Sequence, residues 1–258
     1  DMVRQGKVSP DFFRESRPRE TEAAAVRCLV TLAGARGTPL HLVHLSTGAG
    51  LAAVNEARRQ GWPITCETLP TYLELEEGCL QGPDVPLFAT CPPLRGDPDR
   101  GQLWQGLADG GIDFLATDHC AFSREDKLRH HRDFRTMLFG MPSVEWSLPL
   151  AFSEGVRTGR LSLERFCAIT SANAARLFGL FPAKGRLAPG SDADLVLWDP
   201  VASLTVSADR QVSRAGYSPF EGRTLHGLPS LVMRRGKVLV RDGVWQSLAP
   251  EGRFLSRG

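Results

Sequence analysis

With 258 residues, 42% apolar and 23% charged, the chain has the composition of an ordinary globular protein, long enough for one large domain or a core plus a smaller module. A net charge of +2, from 31 basic and 29 acidic residues, argues against a nucleic-acid or membrane partner. There is no run of 18 apolar residues and no signal peptide. Six cysteines (28, 66, 79, 91, 120, 167) without a CxxC pair point to a reducing cytoplasm. The chain opens at Asp1 rather than Met, which leaves an upstream targeting segment open.

In chain order, residues 20–35 (ETEAAAVRCLVTLAGA) are rich in helix formers and end near Gly34 and Gly37. "PLHLVHLS", 39–46, predicts a strand that leads through Gly48 into a helix, "AGLAAVNEARRQG". "WPITCET", 62–68, predicts a second strand, and "PLFATC", 86–91, either a third short strand or an extended loop. Residues 97–109 read as a helix, followed by the strand "GIDFLATD". The charged stretch 123–138 reads as loop-rich, with His130 and His131 solvated rather than metal-bound. Helices are expected at about 143–156, 161–169 and 171–179, the last with Ser171 as its N-cap. Near residue 185 the pattern turns to β: "DADLVLWD" alternates, and "SLVMRRGKVLVRDG" reads as two strands about a Gly turn.

Strand–helix alternation predicts parallel strands joined by crossover helices, a fold in which reactive groups collect at the carboxyl ends of strands. His44 and Asp118 both occupy such an end. A lone Asp after a strand is ordinarily a turn cap; paired with a histidine at a second strand end, it becomes a candidate metal ligand. Imidazole and carboxylate both suit Zn²⁺, although a catalytic zinc takes three protein ligands and two do not complete a site.

Five blocks then occur in order: "HLVHLSTGAGLAAVNEARRQGWPITCETLPTYLELEEG", "TCPPLRGD", "ATDHCAF", "FGMPSVEWSLPL" and "KGRLAPGSDADLVLWDP". Together they resemble the C-terminal part of the cyclic amidohydrolases, the hydantoinase, dihydropyrimidinase, allantoinase and dihydroorotase family. "YSPFEGRTLHGLPSLVMRRGKVLVRDG" and the ending "GRFLSRG" resemble the hydantoinase/dihydropyrimidinase branch. The resemblance implies an α/β fold: the C-terminal portion of a TIM-like (β/α)₈ barrel in residues 1–184 and part of a β-sandwich in 185–258. It implies a zinc-dependent hydrolase that opens cyclic amides, with a binuclear Zn²⁺ site. His44 matches the metal-binding histidine of the sixth barrel strand. Asp118 matches the aspartate of the eighth, which binds metal and takes the proton of the bridging hydroxide. The implied partners are a small cyclic amide or imide and further copies of the chain, as a tetramer or dimer.

Cys91 stands where hydantoinases tend to carry a serine that meets substrate through its backbone, a contact that survives a side-chain change. A nucleophilic role for its thiol lacks a paired base. Phe139 stands where an asparagine usually binds substrate through its backbone, and the "FGMP" form also resembles dihydroorotase-like relatives, which leaves the substrate open. His119 has two open readings, support for the neighbouring ligand or plain structure. The family's His-x-His pair, its bridging carboxylated lysine and its fifth-strand histidine have no counterpart in these 258 residues. The expectation is therefore a fragment that is inactive alone. Two alternatives are a non-catalytic dihydropyrimidinase-related scaffold and a truncated product without function.

Overall fold

The computed structural model describes residues 2–129, 132–246 and 252–256, so His130 and His131 lie outside the described residues. The contacts group the chain into two compact units. One comprises Asp1–Ser147 with Val206–Arg223, the other Leu148–Thr205 with Thr224–Gly258.

In the first unit a short turn, α1 (Phe13–Ser16), precedes α2 (Arg19–Arg36), which starts after Pro18 with Glu20 and Glu22 in its first turn. It stops at Gly37, whose φ of 59° is the left-handed cap a glycine adopts without Cβ strain. Its inner face buries Ala23, Val26 and Val30. Strand β1 (Leu40–Leu42), helix α3 (Gly48–Arg59) and strand β2 (Ile64–Thr68) follow as a β–α–β unit. The Thr47 hydroxyl caps α3 by accepting the Gly50 N–H at 3.2 Å. Helices α4 (Pro70–Glu74), α5 (Val85–Phe88) and α6 (Asp97–Asp109) lead to β3 (Phe114–Leu115).

The three strands form one parallel sheet in the order β1-β2-β3, as the alternation predicts. Leu40 pairs with Ile64 and Leu42 with Cys66, while Glu67 pairs with Phe114. Strand β2 is central and buries Ile64, Cys66 and Thr68 on one face. The outer strands are shorter than the apolar runs that encode them. Single bonds continue the ladder past their ends, Leu45 N–H to Glu67 at 2.9 Å and Ala116 N–H to Thr68 at 3.0 Å. The chain turns left-handed at His44 and Asp118, two and three residues beyond the last regularly paired positions, Leu42 and Leu115.

Three local expectations are corrected. Residues 85–88 form a helical turn, with Pro86 in the first-turn position where its missing N–H costs nothing, and the backbone becomes extended only at Ala89. The charged stretch read as loop contains helix α7 (Arg124–Arg129). The Ser123 hydroxyl accepts the Asp126 N–H at 3.0 Å and donates to the Asp126 carboxylate at 2.7 Å, a side-chain cap that starts it. Ser171 caps nothing, because α9 (Leu163–Cys167) runs through a π-helical turn at Ala168–Ala172 into α10 (Asn173–Leu177). The cap is Ser162, nine residues earlier, which accepts the Arg165 N–H at 3.1 Å.

Helix α8 (Val144–Leu150) carries Pro149 and passes into a π-helical turn at Ala151–Val156. The second unit also holds an antiparallel sheet of β4 (Leu195–Thr205), β5 (Thr224–Arg234), β6 (Lys237–Arg241) and β7 (Val244–Trp245), in that order. Arg235 and Gly236 (φ 48° and 79°) join β5 to β6, and Asp242 and Gly243 (φ 50° and 76°) join β6 to β7. Two consecutive left-handed residues are what a two-residue hairpin loop requires. Trp198 of β4 packs on Phe152 and Phe166 at 4.8 and 5.7 Å between ring centroids.

Candidate functional site

His44 and Asp118 follow the carboxyl ends of β1 and β3, strands that flank β2 in the one parallel sheet. Both have left-handed backbone, φ 41° for His44 and 43° for Asp118. Among the described residues only two other non-glycine positions share this, and both are hairpin turns. For an L-residue that conformation costs about 1–2 kcal/mol, a cost found where side-chain direction matters. Here it falls just beyond the end of each strand.

The loop after His44 is fixed by a buried charge cluster. Glu22 accepts the N–H groups of Ser46 and Thr47 at 2.9 and 3.1 Å and also bonds the Ser46 hydroxyl. Arg95 lies against the same carboxylate at 3.4 Å, donates to the Ser46 hydroxyl at 3.2 Å and to the Arg17 carbonyl at 3.0 Å. Charge-assisted bonds of this kind hold a loop with little freedom. Thr68 closes the other side by donating to the Leu45 carbonyl at 2.8 Å.

His44 and Cys91 open onto one cleft of about 490 Å³, with Leu29, Leu42 and Val43 among its apolar walls and Glu22 and Arg95 at its polar end. Asp118 and Phe139 do not line it. His41 does, but its ring nitrogens are engaged by Thr65 at 2.9 Å and Glu67 at 3.1 Å, and its ring stacks on Phe114. It is therefore held within the sheet. Among the described residues no group of three or more His, Cys, Asp or Glu is arranged to hold a metal ion. The donor set present is one imidazole and one carboxylate, chemically fit for zinc and short of a complete site.

Tyr72 connects the parts that the cleft does not. It is fully buried, and its hydroxyl donates to the Pro92 carbonyl at 2.8 Å, next to Cys91. Burial pushes the phenol well above its usual range; the Thr90 hydrogen bond opposes this, and the charges of Glu22, Asp118 and Cys91 add to it. Asp118 and Cys91 thus both lie within electrostatic reach of one buried hydroxyl.

The Phe139 ring stacks on Phe13 at 5.2 Å, and the Arg17 guanidinium lies 5.1 Å from its centroid. This half-buried side chain is engaged in ring packing. His119 accepts the N–H groups of Ser143 and Val144 through Nδ1 at 3.0 and 3.2 Å, which makes it a fastener for the start of α8. Lys127 and Glu22 carry no mark in the sequence, and Tyr72 and Arg95, though inside the quoted blocks, are not set apart there from their neighbours.

Comparison with known proteins points the same way. The profile described as "Amidohydrolase family" matches residues 15–239. The D-phenylhydantoinase of Escherichia coli O1:K1 / APEC is 43% identical over 259 aligned positions, covering all of this chain and 56% of the relative. The D-hydantoinase (dihydropyrimidinase) of Thermus sp. matches with a TM-score of 0.92 at 38% identity, covering 96% of this chain and 54% of its own. The L-hydantoinase (dihydropyrimidinase) of Arthrobacter aurescens matches with a TM-score of 0.81 at 33% identity, covering 89% and 51%. The chain spans little more than half the length of these relatives. Its parallel sheet is a portion of a TIM-like barrel and its antiparallel sheet part of a β-sandwich. A match over residues 15–239 is most of the chain, and the chain belongs to the amidohydrolase family.

Proposed function

We propose that the complete protein carrying these residues is a zinc-dependent hydrolase that opens cyclic amides of the hydantoin or dihydropyrimidine type. The observation that carries this is the shared left-handed backbone of His44 and Asp118 at two strand ends of one parallel sheet. Supporting it are relatives named for hydantoin and dihydropyrimidine hydrolysis. His44 and Asp118 would hold the metal; when bound, it supplies Lewis-acid polarisation and acidifies water. A non-catalytic scaffold has no need to keep both residues in a costly conformation.

The residues of this chain then divide the work. The main chain at Cys91 and Phe139 binds the ring's amide edge, and the Asp118 carboxylate takes the proton of the attacking hydroxide. As the carbon–nitrogen bond breaks, Asp118 delivers that proton to the ring nitrogen, leaving a carboxylate and a free amide or ureido nitrogen. We assign residues 1–184 to the barrel portion and 185–258 to the sandwich portion. A homotetramer or homodimer in the cytoplasm completes the reading. Among the described residues no helix is long and apolar enough to cross a membrane.

The test is a panel of hydantoin, 5-phenylhydantoin, dihydrouracil and allantoin with the complete protein and its Asp118→Asn variant. Asparagine tolerates the left-handed backbone, so fold is kept while proton transfer is lost. Turnover of at least one ring is expected, falling about 10²–10⁴-fold in the variant. Equal turnover by the two proteins would remove Asp118 from the mechanism.

A further inference from the structure

We propose that Lys127 is a positioning residue that joins the two backbone segments meeting the substrate, 89–91 and 138–140, into one rigid recognition surface. The inference rests on the reading that Cys91 and Phe139 bind the ring through their main chains. The Lys127 side chain is fully buried. Its Nζ donates to the carbonyls of Ala89 at 3.1 Å, Leu138 at 2.7 Å and Gly140 at 2.7 Å. In its protonated form the amine carries three donor hydrogens, and three carbonyls take them all. Two of those carbonyls flank Phe139, and the third lies two residues before Cys91.

The surroundings are built around this junction. Gly140 donates its N–H to the Ala89 carbonyl at 2.9 Å, tying the segments directly. Its φ is 112°, and an added Cβ would run into the Cys120 thiol, so the segment lies against the residue two beyond Asp118. The Cys120 N–H bonds the Met141 carbonyl at 3.0 Å, extending the junction to the β3 strand end. Tyr72 secures the other flank at Pro92. Helix α7 is capped at Ser123 and fastened by the Arg124 N–H to the Ala215 carbonyl at 2.7 Å, which fixes the base of the lysine stem. A buried cation with three neutral acceptors and no carboxylate partner is costly, and burial pulls its pKa down. Simple packing is met more cheaply by a methionine. What the lysine adds is a three-way clamp on carbonyls whose neighbouring groups face the substrate.

The experiment compares the complete protein with its Lys127→Met variant, which keeps the stem and removes the donors. With 5-phenylhydantoin, KM is expected to rise about tenfold or more while kcat changes less than about threefold and zinc content is unchanged. Amide hydrogen exchange should speed up at both 89–92 and 138–141. Unchanged exchange at both segments would overturn the clamp itself. Faster exchange with unchanged KM would also overturn the proposal, and would trace its failure to the reading that these segments touch substrate. Should the variant not fold, reductive methylation of the wild-type protein decides. Protection of Lys127 that deepens with 5-phenylhydantoin supports the proposal. Labelling as fast as the exposed Lys237, or protection indifferent to the ligand, overturns it.

Discussion

At the residue scale, the site depends on a few positions where backbone and side chain are fixed together. His44 and Asp118 take on left-handed strain at the ends of β1 and β3, and Gly140 supplies a conformation that side chains resist. Gly140→Ala is expected to destabilise the protein by about 1–3 kcal/mol, because φ and contact are both violated there. Cys120→Ala should not rescue it, since the Cys120 Cβ also stands in the way. Urea melts of the single and double variants measure this; a Gly140→Ala melt matching wild type would contradict the packing described. The placement of His44 and Asp118 just past two strand ends was legible from sequence, because apolar runs that break into polar loops mark such ends. Their strain was not, because no local pattern reports φ. Lys127 was illegible for a different reason: within "REDKLR" it looks like any solvated charge, and only the fold shows that it points inward.

At the scale of elements, the long periodic stretches are legible in the sequence and the short ones are not. Helices α2 and α6 lie within a residue of the sequence reading, as helix formers and glycine stops over a dozen or more residues allow. Strands β1 and β3 keep only the part of each apolar run that finds a hydrogen-bonded neighbour. Helix α7 escapes the sequence because its six residues carry no apolar stripe, and it exists by virtue of its cap and its buried lysine. That lysine gives the element a pH signature. Burial lowers the Lys127 pKa from 10.5 to about 7, whereas in the unfolded chain it is ordinary. Between about pH 7 and 9 the unfolded chain therefore holds up to one proton more than the native one, and stability rises with pH. Above about pH 9 the buried Cys66 thiol, pushed up to about 12, acts in the opposite sense, because only the unfolded thiol ionises there. Denaturant melts at pH 7, 8 and 9 should show the rise in wild type and its loss in Lys127→Met. A flat wild-type profile would contradict a charged-state penalty at this lysine.

For the whole molecule, the ordered sequence blocks carried the family and its barrel-plus-sandwich plan before any coordinates, because a resemblance in five places fixes topology that propensity cannot. What they did not carry is how contacts gather the chain. Residues 206–223 return to the parallel-sheet unit, where Arg223 donates to the Glu74 carboxylate at 2.7 Å, and 148–184 group with the antiparallel sheet. The 258 residues contain no His-x-His pair, and their described residues assemble no three-donor group. We therefore expect the 258-residue chain alone, supplied with zinc, to show negligible hydrolysis of 5-phenylhydantoin. Turnover comparable to that of an intact hydantoinase would show that the site is complete without further ligands.

The most direct test of the central claim is the metal content of the complete protein with His44 replaced by Asn, a residue that accepts the left-handed backbone but is a poor zinc ligand. By elemental analysis, bound zinc per chain should fall well below the wild-type value while the circular-dichroism spectrum is unchanged. Wild-type zinc in the folded His44→Asn protein would contradict the assignment of that strand end to a metal site.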